Sequence, residues 1–258
     1  MRRGLFLWTF IIFFFTPTSG NSQINESQTG AWYMYFFNTT FKKSSWGFQG
    51  DIQYRNLNLI GDLEQLLFRG GISYQPKQTQ IKLTIGYGNI TNGTSTSINS
   101  INLENRIYQE LMFPIKFGNR IQTNHRFRSE QRFIEGQDLR TRYRYNLFIN
   151  IPLNKTSFES KTLYLSIYDE LFINGELNTG DDEKVNFFDR NRLYTALGYM
   201  INDQIKLQLG FMSQRTSNWN RTQLQLSFHH NIQHCTKKMN NIKPNSSQSI
   251  PTASIRYK

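Results

Sequence analysis

The sequence predicts an all-β fold, an up-and-down antiparallel transmembrane β-barrel of about ten to twelve strands around a polar lumen, and three observations carry this. Apolar residues recur with a period of two from Ala31 to Asn231, and helical spacing is sustained nowhere. The alternating segments run to roughly 9 to 15 residues, long against the usual strand of about 5 or 6. Aromatic residues gather near segment ends, as Tyr143 with Tyr145 and Trp46 with Phe48 do, while the polar faces are rich in arginine paired with glutamate. A membrane barrel carries aromatic girdles outside and a hydrated, polar interior inside.

The first residues are read separately from the barrel. Met1-Arg2-Arg3-Gly4 is a basic start, Leu5 to Phe15 is an apolar run, and Thr16-Pro17-Thr18-Ser19-Gly20 is a zone of small residues. That pattern predicts a signal peptide over 1–20, because the apolar run is shorter than the roughly 20 residues of a spanning helix. No later stretch approaches the 18 continuous apolar residues of a helical span. The expected organisation is therefore signal peptide 1–20, N-terminal segment 21–29, barrel 30–232 and a flexible basic tail 233–258. The lone Cys235 would enter a compartment where disulfides form but has no partner to pair with.

A formal charge of +12 raises nucleic-acid binding, and its distribution argues against it. Arg2 and Arg3 lie in the leader, and Lys237, Lys238, Lys243, Arg256 and Lys258 lie in the tail. Between them 23 basic residues face all 18 acidic ones, too modest an excess for a nucleic-acid surface.

Eleven strands are expected, over 31–38, 46–55, 63–74, 80–88, 103–113, 119–133, 139–153, 162–172, 191–201, 204–215 and 220–231. Turns at 76–79, 114–118 and 202–203 fall at one end, and the longest connections, 89–102 and 174–189, fall at the other. Single-chain bacterial barrels have an even strand number. The expectation is therefore that either the 31–38 segment is not a full strand or a further strand exists.

The central hairpins concentrate charge. Arg126, Arg128, Glu130 and Arg132 share one face of their strand, Arg140, Arg142 and Arg144 follow across the turn at Gly136, and Glu104, Arg106 and Glu110 precede. Antiparallel hairpins pair positions of constant sum, so these even-numbered residues fall on one surface, predicted to face the lumen. The excess of guanidinium there suits either a salt-bridge network filling the interior or the capture of a small anion or lipid head group. Any conduction would favour anions.

Other chemistry is weakly signalled. His125 and Ser129 share a face but stand roughly 13 Å apart at about 3.3 Å per residue, too far for a nucleophile and its base. His125 is predicted on the outer wall. His229, His230 and His234 have no metal-site spacing, and no phosphate loop occurs, so no cofactor and no metal is expected. Two other classes remain open: a rim-sited lipid-modifying enzyme, requiring Ser, His and an acid to converge, and a soluble secreted lipocalin-like binder.

The chain also resembles a family of outer-membrane barrels of unassigned role, domain of unknown function 2490. The residues that carry this are Trp32, Gln53-x-Arg55, Leu67-x-Arg69-x-Gly71-x-x-Tyr74, Gly86-Tyr87 and Glu104-x-Arg106-x-x-Gln109. They continue with His125-Arg126-x-Arg128-x-Glu130-Gln131-Arg132-Phe133, Glu170-x-Phe172-x-Asn174 and Asp189-x-Asn191-Arg192-x-Tyr194-x-x-Leu197-Gly198-Tyr199. The resemblance spans about 30–231 and implies a barrel in the bacterial outer membrane, with the bilayer as partner. It implies no substrate or catalytic residue.

Overall fold

The computed structural model describes residues 29–93, 102–118, 120–180 and 183–232. The expected signal peptide, the tail with Cys235 and His234, and the Thr94 to Ser97 loop lie outside them.

Alternation becomes strand after strand. Eleven long strands are β1 (Gly30–Thr40), β2 (Trp46–Asn56), β3 (Leu63–Tyr74), β4 (Lys82–Asn92), β5 (Asn102–Phe117), β6 (Ile121–Ile134), β7 (Arg140–Pro152), β8 (Leu163–Asn174), β11 (Phe188–Met200), β12 (Ile205–Arg215) and β13 (Asn220–Ile232). Two short strands, β9 (Asn178–Gly180) and β10 (Glu183–Lys184), form a separate hairpin inside the 174–189 connection, where only a loop was expected. The eleven long strands close into one barrel with sequential neighbours throughout.

Closure corrects the parity expectation. The first segment is a full strand of 11 residues, hydrogen-bonded to β2 on one side and β13 on the other, and no strand is missing from the expected eleven. With an odd number of alternating strands the first and last run in the same direction. β1 and β13 accordingly pair in parallel, from Gly30↔Gln223 to Thr39↔Ile232, so the barrel is mixed rather than wholly antiparallel. The chain consequently enters the barrel at one end, at Gly30, and leaves at the opposite end, at Ile232. The entry end carries the two longest expected connections; the exit end carries the tight turns, with the 153–162 connection an exception to that asymmetry.

Side chains alternate across each strand, so one parity looks out and the other looks in. Ile72, Ile85, Leu197, Leu209 and Phe211 are all more than half exposed on the outer wall. Polar residues interrupt that wall on β4 to β11, and they satisfy one another: Tyr87 Oη donates to Asn105 (2.6 Å), Gln109 to Gln131 (3.1 Å) and Asn191 to Asp169 (2.7 Å). Inside, Trp32, Tyr194, Ala196 and Met212 pack into an apolar cluster on the β1, β11 and β12 side, and Met34 and Tyr168 lie against it.

Two inward glycines make room for aromatic rings. Gly86 pairs with Tyr108 and Gly198 with Tyr164, and each ring lies so flat over its glycine that a β-carbon would stand inside it. This is the arrangement in which an aromatic residue covers a strand glycine. Gly198→Val should displace Tyr164, break the Gln208 Nε2 hydrogen bond to its hydroxyl (3.0 Å) and destabilise by about 1–3 kcal/mol. A lowered temperature for loss of the compact form on gel electrophoresis checks it; an unchanged transition would show that the ring is free to move.

Candidate functional site: a guanidinium-rich lumen

Register places the charged residues. β5 and β6 align Arg106↔Arg132, Tyr108↔Glu130 and Glu110↔Arg128, and β6 and β7 align Arg128↔Arg144, Glu130↔Arg142 and Arg132↔Arg140. Like charges therefore face one another directly at several rungs. Glu110–Arg128 and Glu130–Arg142 bond straight across, and at the like-charge rungs bonding runs diagonally, as long side chains allow.

Glu130, 1% exposed, is the hub. Its carboxylate accepts from Arg142 Nη2 (2.7 Å) and Arg144 Nη1 (2.5 Å), with Arg106 and Arg128 guanidinium nitrogens at 3.6 and 3.7 Å. Glu104 holds Arg106 (2.7 Å) and Arg132 (2.5 Å). Glu110 accepts from Arg128 at 2.8 Å through Nε and at 2.5 Å through Nη2. Arg126 reaches across β7 to Glu170 on β8, which also takes Arg144 (2.8 and 2.6 Å).

Nine of the ten residues singled out from the sequence thus share one ion-pair network. Arg140 stands apart. It is buried, and among the described residues its side chain bonds only the Gln137 side-chain oxygen (3.1 Å) and its Nε has no partner.

Sequence reasoning missed several members. Asp51 with Arg69 (2.8 Å), Glu170, and Arg55 and Arg192 follow the same strand parity and could have been found by extending it. Asp189 could not. A register shift between Phe188 and Arg190 interrupts the alternation, and Asp189 bonds Arg142 and Arg190, both at 3.1 Å.

Eleven arginines (55, 69, 106, 126, 128, 132, 140, 142, 144, 190 and 192) meet six carboxylates (51, 104, 110, 130, 170 and 189) in this interior. The surplus is localised. Among the described residues no carboxylate lies within 4.0 Å of Arg55, Arg140 or Arg192, and each is held instead by glutamine oxygens: Gln53 and Gln65 for Arg55, Gln137 for Arg140, Gln214 for Arg192. A neutral amide aims the guanidinium without cancelling its charge. Aromatic faces add support, Trp32 lying 3.7 Å from the Arg55 guanidinium carbon and 4.9 Å from that of Arg192.

The described residues of the interior line two chambers of note. An entry-side chamber of about 260 Å³ is lined by Arg140, Arg190, Glu104 and Arg132, and an exit-side chamber of about 340 Å³ by Trp32, Phe148, Lys206 and His229. Arg55, Arg69, Arg144 and Arg192 border both.

The profile of a protein family of unknown function, DUF2490, matches residues 29–225, from the start of β1 into β13. The chain belongs to this family. No curated protein and no solved structure matches it. In this DUF2490 barrel the histidines are engaged as follows. His125 stacks on Phe113 and its Nδ1 bonds the Tyr145 hydroxyl (2.8 Å), whereas Ser129 accepts from Gln131 (3.3 Å). Ser227 Oγ bonds His229 Nε2 at 2.9 Å in the exit-side chamber, and His230 bonds Tyr35 (3.0 Å). Among the described residues no carboxylate bonds to His229, so the pair lacks the third group that orients a catalytic base.

Proposed function

We propose that this protein is an integral barrel of the bacterial outer membrane whose lumen binds small anions. Support for the membrane part comes from the apolar outer wall around an enclosed charged interior and from the leader-like first residues. A water-soluble barrel would reverse that preference, burying its apolar parity and exposing its charges. The anion part rests on one observation: Arg55, Arg140 and Arg192 are buried, oriented by amides and, among the described residues, have no carboxylate within 4.0 Å. Buried charge without a partner is costly, so a site of this kind gains most from an anion that completes it.

Binding fits the geometry better than passage. Glu130, Arg128 and Tyr108 are buried side chains filling the middle of the lumen, as in other small barrels. With the longer loops outward, the entry-side chamber faces the exterior.

Titration of the mature protein in detergent with inorganic phosphate tests the reading. Saturable binding is expected, weakened by at least about tenfold in Arg140→Gln, the loss of one charge-assisted pair. Arg120→Gln, whose side chain among the described residues bonds only the Pro152 carbonyl, should leave it unchanged. Absence of saturable binding, or equal weakening by both substitutions, would overturn it.

A further inference from the structure

The two chambers differ in chemistry. Apolar side chains are few in the entry-side wall, where Leu67, Ile134 and Phe172 stand among arginines and amides. The exit-side wall presents aromatic rings from four strands: Trp32 on β1, Phe148 on β7, Tyr168 on β8 and Tyr194 on β11. Tyr168 and Tyr194 stack at 4.7 Å, and Trp32 and Tyr194 belong to the buried apolar cluster.

At the boundary between the chambers is Arg192. Its Nε is fixed by Gln214 at 2.7 Å, while Nη1 and Nη2 bond nothing among the described residues and, unlike the sealed atoms of Arg126 and Arg140, are not closed off from the cavity. Glu170, opposite Arg192 on β8, is already bonded by Arg126 and Arg144. An oriented cation with two unused donor nitrogens thus borders an aromatic-walled space of a size that suits a small ligand.

We infer that the exit-side chamber binds a small amphiphilic carboxylate, its ring or short apolar chain against Trp32, Phe148, Tyr168 and Tyr194 and its carboxylate on the Arg192 guanidinium. This rests on the reading above that the lumen's surplus guanidinium takes anions, and it adds a ligand class and a second site. The apolar wall rewards removal of a hydrophobic body from water, and the end-on nitrogens of Arg192 match the two carboxylate oxygens. Lys206, in the same wall and without a carboxylate within 4.0 Å among the described residues, adds attraction for an anion.

The test is titration of the mature barrel in detergent with benzoate, with its neutral isostere benzamide, and with inorganic phosphate. Benzoate should bind saturably and benzamide should not. Arg192→Gln should weaken benzoate by at least about tenfold. A second variant, Ser166→Leu, adds bulk to the exit-side wall alone, and should abolish benzoate binding while phosphate binding persists. Phosphate binding without benzoate binding, equal binding of benzoate and benzamide, or undiminished benzoate binding by Ser166→Leu would each overturn the inference while leaving the anion reading standing. Failure of both anions to bind would remove the anion reading and this inference with it.

Discussion

Glu130→Gln is expected to destabilise the barrel by about 3–5 kcal/mol, the cost of removing one partner from a buried ion pair. Four guanidinium groups converge on this carboxylate within 4.0 Å, and it is 1% exposed. An interior that already holds a surplus of arginine would gain one more uncompensated charge, at the position where Arg142 and Arg144 share one carboxylate. The glutamine keeps the shape and one acceptor oxygen, so the loss reports charge rather than packing.

The measurement is the temperature at which the mature protein in detergent loses its compact, fast-migrating form. Removing a guanidinium at the same time separates the causes. Glu130→Gln with Arg142→Met should recover part of the loss, because the cost of a broken pair is mostly the charge left behind. A single variant as stable as the parent would mean that water in the lumen screens the network and that these pairs contribute little.

The second large effect is on the outer wall. Leu197 is 56% exposed on β11, flanked across the sheet by Leu165 on β8 and Leu209 on β12. An arginine there would be expected to cost about 2–4 kcal/mol near the midplane of a bilayer. On a protein whose wall met water, the same change would fall within about 0.5 kcal/mol. Denaturant unfolding of the barrel from liposomes reads the difference directly. A near-zero cost for Leu197→Arg would refute the membrane reading, whatever happened to anion binding.

Much of this architecture follows from the chain taken residue by residue. Period-two alternation located all eleven long strands, with the bounds of β3 met at both ends, because each side chain of a barrel strand has only two places to go. The same parity put Arg142 and Arg144 on the wall opposite Tyr143, which is 52% exposed. Hairpin register then follows from connection length, so the even-numbered charges of β5, β6 and β7 share a surface before any coordinates exist.

Three things were decided only by the closed structure. Parallel pairing of β1 with β13 depends on where the sheet's two edges meet, a long-range contact that no local pattern encodes. Asp189 enters the network through a register shift, which breaks the very rule by which the sequence was read. Most consequential is which arginines lack an acid. The sequence offers every even-numbered arginine of β6 and β7 to an anion alike, yet Arg128 and Arg142 are matched by carboxylates, while Arg55, Arg140 and Arg192 rest on glutamines. Alternation assigns a side chain to the lumen, but distances across a curved wall decide its partner, and with pairings only a few ångströms apart that difference separates a neutralised charge from an available one.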